Sequence, residues 1–148
     1  MYNISGTGSV ALLVADKTFP QGVEISDFTT DEDPLQLTDR SIGDISVGLN
    51  GTATGWRKIE PISLTLSVQP NTPSDNNLNI LAKLNSVGSQ RTAIQDAITL
   101  TFIYPDGKSV QLIDGVITTD PMMSSIAAEG KIKAKKYGFK FGDVRYVS

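Results

Sequence analysis

The chain has 148 residues, 39% of them hydrophobic, 20% charged and 7% aromatic, with no cysteine and no histidine. This length reads as a single domain over residues 1–148 with a sizeable core, and the missing imidazole and thiol groups exclude a His/Cys zinc site, a Ser-His-Asp triad, a Cys nucleophile and a disulfide framework. Thirteen bases against sixteen acids leave a formal net charge of −3, too small to argue for nucleic-acid affinity, yet residues 1–50 hold eight acids against two bases and the last eighteen hold six bases against one acid.

The chain opens with Gly6-Thr7-Gly8-Ser9-Val10-Ala11, which has the letters of a dinucleotide-binding loop. That loop needs a strand before it and a helix after it; only five residues precede Gly6 and 10–14 reads as an apolar strand, so the segment is an arm entering that strand. The run 10–15 has no basic residue before it and is too short for a signal-peptide core or a membrane span, so synthesis and residence in the cytoplasm is expected. Asp31-Glu32-Asp33 offers oxygens to a hard cation, but the glycine and glutamate of an EF-hand loop do not follow and Pro34 closes the run. A solvated acidic loop is the better reading.

Strands dominate the rest of the chain. It is rich in Ile, Val and Thr, and over all 148 residues Asp outnumbers Glu twelve to four, as turns and caps favour. Ile45, Val47 and Leu49 alternate with Asp44, Ser46 and Gly48 up to Asn50-Gly51, a turn dipeptide, and the chain can return over 52–59. The lone Trp56, followed by Arg57 and Lys58, reads as either a core anchor or an interface anchor, and the Gly/Asn/Thr stretch 50–55 before it, which should project as a loop, favours the interface. Residues 62–68 alternate Ile, Leu, Leu and Val with Ser and Thr, a half-buried strand.

Thr72-Pro73-Ser74-Asp75 carries an N-cap hydroxyl, a first-turn proline and a carboxylate three residues after the cap. With Leu78, Ile80, Leu81, Leu84 and Val87 as its apolar stripe and Gly88 as its stop, the pattern predicts a helix at about residues 73–87. A hairpin comes next: strand 97–104, the turn Pro105-Asp106-Gly107-Lys108, and strand 109–113, with a further apolar strand at 115–118. Lys131, Lys133 and Lys135 alternate with Ile132 and Ala134, giving an exposed lysine ladder if the segment is a strand. Tyr137, Phe139 and Phe141 then alternate in the opposite parity, so a bulge or break is expected at Lys135-Lys136. The fold class is therefore mainly β, two packed antiparallel sheets of sandwich or barrel-like form with one flanking α-helix.

The order of these parts, from the acidic loop through the hairpin at Gly48-Leu49-Asn50-Gly51, strand 62–68, Pro70-Asn71-Thr72-Pro73-Ser74-Asp75 and Leu78-Asn79-Ile80-Leu81 to the closing Tyr137-Gly138-Phe139-Lys140-Phe141-Gly142-Asp143-Val144, resembles the tail tube proteins of long-tailed bacteriophages. The resemblance covers nearly the whole chain and rests on element order. It implies a structural virion protein without catalysis or cofactor, made in the host cytoplasm, whose hexameric rings stack into a hollow tube through which DNA passes. It implies as partners further copies of the chain, with sheath, baseplate and tail terminator proteins beside them, and no membrane. Asn50, Gly51, Thr52, Trp56 and Arg57 are then candidate assembly contacts, and Asp31, Glu32 and Asp33 against Lys131, Lys133 and Lys135 candidate complementary faces. Two other readings stay open: a tube-like subunit of a contractile injection or secretion system, and a β-sandwich binding module, for example for carbohydrate, for which one Trp, four Tyr and five Phe are a thin supply. A Ser-Lys dyad or a carboxylate pair for hydrolysis is not singled out by any spacing.

Overall fold

A computed structural model describes residues 9–29, 35–86, 96–123, 126 and 128–147. Among these, nine strands and one helix run in the order β1 (Val10–Ala15), β2 (Phe19–Ile25), β3 (Leu35–Leu37), β4 (Gly43–Val47), β5 (Ala53–Arg57), β6 (Ile62–Val68), α1 (Pro73–Leu84), β7 (Ile98–Ile103), β8 (Ser109–Thr119) and β9 (Lys135–Val147). Seven strands form one antiparallel sheet in the order β2-β1-β7-β8-β9-β6-β3, and β4 and β5 form a separate antiparallel ribbon. Mainly β, with two antiparallel sheets and one flanking helix, is the class the alternation predicted. β2 and β3 went unread in the sequence, since neither alternates over a useful length.

The large sheet curls strongly. β2 and β6 lie toward opposite ends of its order, yet Phe28, three residues after Ile25, already bridges Val68, a span of at most about 11 Å at about 3.6 Å per residue. The two ends therefore face each other across one core, without the β2–β3 pairing that would close a barrel. Ala11, Leu13 and Ala15 from β1, Ile98, Leu100 and Phe102 from β7, Leu64 and Leu66 from β6, and Tyr137, Phe139 and Phe141 from β9 fill that core. β6 occupies the span its period predicted, and the parity of β9 is as read, with its three aromatics buried.

Two sequence readings change here. The apolar stretches 109–113 and 115–118 are one strand, β8, carrying a bulge against β7 at Asp114, whose φ is 55°. Gly115 is required there, because a Cβ would lie 2.2 Å from the Phe141 ring. The lysine segment, in turn, does not join β9: the strand starts at Lys135, and the described residues before it make only the bridge Ile126↔Ile132. Lys131, Lys133 and Lys135 consequently form no common ladder.

The helix starts as predicted, with Thr72 as N-cap accepting from the Asp75 amide and Pro73 in the first turn. It ends three residues early, at Leu84, because the Asn85 carboxamide turns back to donate to the Leu81 carbonyl (2.9 Å) and to Asp96 (2.8 Å). Gly88 and Val87, the expected stop and last stripe residue, lie outside the described residues. The buried stripe is Leu78, Leu81 and Ala82, whereas Ile80 and Leu84 are exposed; position 80 is about 200° round the helix from 78.

Polar anchors hold the helix against the sheet. Ser74 accepts from the amides of Ser26 and Asp27 and donates through its hydroxyl to Asp27 (2.9 Å). Asp75, buried, accepts from the Tyr137 hydroxyl at Oδ1 (2.8 Å) and from the Asn71 amide at Oδ2 (3.0 Å), and Lys135 Nζ lies 3.5 Å from that same Oδ2. Burial, then the Asp75 acceptor and the charges of Asp75 and Asp120, pushes the Tyr137 phenol far above its usual range. At the far end of the helix, Asp96 accepts from the Lys17 amide, from the Thr18 amide and hydroxyl, and from Asn85. Burial opposes its charge, but these four donors outweigh it and hold the carboxyl below its ordinary value.

Removing one hydroxyl, Tyr137→Phe, should cost about 1–3 kcal/mol in urea melts at neutral pH, since it strips a donor from a buried carboxylate. The unfolded phenol titrates near pH 10 while the folded one stays protonated, so wild-type stability is full below about pH 10 and declines above it; the Phe variant should lack its share of that decline. For Asp96 the sign is opposite: its lowered folded value contributes stability above about pH 4, the unfolded value, that is lost as the pH falls further. Asp96→Asn should flatten the acid limb of a pH series of melting temperatures, and an unchanged limb would contradict this assignment.

Candidate assembly interface

The ribbon β4–β5 is where sequence pattern and burial part company. Its residues alternate as those of β6 do, but whereas β6 buries one side, every residue of both ribbon strands is exposed. Cross-strand pairs share a face, and the register Gly43↔Arg57, Asp44↔Trp56, Ile45↔Gly55, Ser46↔Thr54, Val47↔Ala53 sorts the ribbon into two unlike sides. One carries Ile45, Val47 and Ala53 with Gly43, Gly55 and Arg57. The other carries Asp44, Ser46, Thr54 and Trp56, with Lys58 paired to Asp44 at 3.3 Å. Ile45 and Val47 are 62% and 65% exposed, and an isolated two-stranded hairpin is marginal in water. Such a surface calls for a partner.

The tip is a compact turn rather than a long loop. The Gly48 amide donates to the Thr52 carbonyl, the Gly51 amide to the Gly48 carbonyl, and the Thr52 amide to Asn50 Oδ1 at 3.1 Å. Gly51 sits at φ 81°, with no heavy atom near a would-be Cβ. At its base the ribbon is tied to the body by Thr38 donating to the Ser63 carbonyl, by Ser41 donating to Glu60, and by Arg40 3.8 Å from Asp143. Exposed ion pairs of this kind are each worth about 0–1 kcal/mol.

Of the candidate contact residues, Asn50, Gly51 and Thr52 form the tip, and Trp56 and Arg57 stand on β5, on opposite faces. A shallow groove runs along Gly43, Asp44, Ile45, Gly55, Trp56 and Arg57. Trp56 is 47% exposed and so anchors nothing in its own core. Ile45 and Val47 are the contact candidates the sequence reading passed over, because alternation does not tell a core from a partner. Lys131 and Lys133 are exposed, whereas Lys135 is turned inward to Asp75, its side chain 13% exposed. Asp31, Glu32 and Asp33 lie outside the described residues. The exposed aromatics stand apart in the chain, Trp56 on β5, Tyr104 at the turn between β7 and β8 and Tyr146 on β9, and no group of three metal-ligating side chains occurs among the described residues.

A family model described as "Tail fiber protein gp32" matches residues 2–145. Among solved structures, a chain of the anti-feeding prophage baseplate, determined by cryo-electron microscopy with six-fold symmetrisation, superposes with a TM-score of 0.56 at 10% identity, over 100% of this chain and 97% of that one. At that identity the likeness is one of fold. No curated protein matches.

Because Ile45 and Val47 are exposed and pack into no core of the described residues, the double variant Ile45→Ser/Val47→Ser should unfold within about 0.5 kcal/mol of wild type. Leu66→Ala, in the core, should cost about 2–5 kcal/mol. Urea denaturation of the isolated subunit compares them directly.

Proposed function

The chain belongs to the tail fiber protein gp32 family, a family of phage tail structural proteins, and from this premise we propose that it is a non-catalytic tail tube subunit whose copies join into rings that stack around a channel for DNA. The observation that carries the reading is the exposed β4–β5 ribbon, an apolar-faced element with every residue of both strands in water. The full-length likeness in fold to a chain of a six-fold symmetrised baseplate supports a six-membered ring. Neighbouring tail proteins, sheath and baseplate among them, are the expected partners at the ends and outside of the tube, and the virion tail is its place.

The acidic segment Asp31 to Asp33 and the exposed Lys131 and Lys133 are proposed as complementary faces between stacked rings. Lys135 drops out of that set, because its amine is committed to Asp75. The family's own description favours a second reading, a fibre subunit, and the baseplate origin of the structural neighbour adds a baseplate subunit. The same fold also suits the tube of a contractile injection system.

Negative-stain electron microscopy of the purified chain separates these readings. Stacked six-membered rings with an open centre are expected; rods without a lumen would point to a fibre. A subunit that stays monomeric at every concentration tried would overturn the proposal. Tube length should fall between 0.1 M and 1 M salt, as the screening length drops from about 10 Å to about 3 Å.

A further inference from the structure

β1 departs from the pattern of its sheet. β6 sets Ser and Thr outward between its buried residues, as a half-exposed strand does, but Val10–Ala15 is apolar on both sides. Ala11, Leu13 and Ala15 are completely buried, and Val10, Leu12 and Val14 point the other way, with Leu12 41% exposed. Continuous apolar strands belong where both faces are covered. The described residues cover this one only in part: Val10 and Val14 are half-buried and Leu12 is exposed, and Gly22, on the edge strand beside it, lies close to the Leu12 and Val14 side chains and has no side chain of its own. Glu24, paired with Leu12, stands exposed at the border of the same face, and Thr99 and Thr101 of β7 continue it.

The described residues thus leave two apolar faces in contact with water, the ribbon's fully and the sheet's in part, and the charges beside them are opposite. Arg57 lies on the apolar side of the ribbon and Glu24 on the outer side of the sheet, and neither makes an ion pair with a described residue. We infer that the Ile45/Val47/Ala53 face of one copy's ribbon docks on the Val10/Leu12/Val14 face of a second copy, with Arg57 set toward Glu24. The inference rests on the self-assembly proposed above and specifies which face of the ribbon is buried and where. The two surfaces are different patches, so the contact is heterologous and repeats from copy to copy. The Asp44/Ser46/Thr54 side, which also carries Trp56, takes no part in this contact.

The native chain has no cysteine, so crosslinks report on introduced ones alone. Leu12→Cys mixed with Val47→Cys under assembling, oxidising conditions should give a reducible covalent dimer on a non-reducing gel. Ser46→Cys, on the opposite face of the ribbon, should give at least about fivefold less with the same partner, since a disulfide needs Cβ atoms about 4 Å apart. In parallel, Arg57→Glu and Glu24→Arg should each weaken assembly, and combining both changes in one chain should restore it. Equal crosslinking from both ribbon faces overturns the inference, as do assembled wild-type-like particles that show neither the Val47 crosslink nor the charge-swap rescue. A wild-type chain that never assembles overturns the underlying reading along with it.

Discussion

A single buried carboxylate decides how the helix sits on the sheet. An apolar stripe such as Leu78, Leu81 and Ala82 holds a helix to a core without fixing its rotation or its slide. Asp75 removes that freedom, because its two oxygens must be satisfied where they are buried. Tyr137 and Lys135 reach it from the start of β9, and the Asn71 amide reaches it from the helix entry. Asn71 is held at φ 62°, the left-handed turn that brings its N–H back to the carboxylate. Removing the charged partner Lys135 would leave the carboxylate's buried charge uncompensated at a cost of about 3–5 kcal/mol, more than the intact ion pair contributes over an apolar alternative. Its value lies in the geometry it selects.

Similar arrangements recur where the curled sheet opens. Asp96 gathers donors from the β1–β2 turn and from the helix C-cap, and Ser74 with Asp27 ties the helix start to the chain leaving β2. Each joins segments far apart in sequence: Asp96 ties the ends of the paired strands β1 and β7 to the helix, and Ser74 with Asp27 ties the helix start to the end of β2. The helix is thereby fixed at both ends. This makes the body self-sufficient, with its apolar interior enclosed and its polar interior paired; no buried side-chain polar atom in the described residues lacks a partner.

The outside is treated differently in different places. The sheet edges are blunted in the usual ways, β3 by its length of three residues and β2 by Pro20 and Gly22. Such edges resist indiscriminate strand pairing between copies. The ribbon and the outer side of β1 are not blunted at all, and keep apolar side chains in water. A tail protein has reason for both features: random aggregation must be suppressed, and one chosen contact must remain available in every copy.

The sequence by itself determined the class of fold, because a period of two is a local property: β6, the hairpin β7–β8, the inward aromatics of β9 and the capped start of α1 can all be read from residues within a few positions of one another. It also determined that the Asn50-Gly51 turn would project. It did not show that Asp75 is more than a cap, that Asn85 ends the helix, or that Lys135 leaves the lysine row, since in each case the deciding partner is distant: Tyr137, Asp96 and Asp75. The same limit hid the meaning of Ile45 and Val47. Alternation records which side of a strand avoids water, and only the tertiary structure decided that the side it meets is not in this chain's own core.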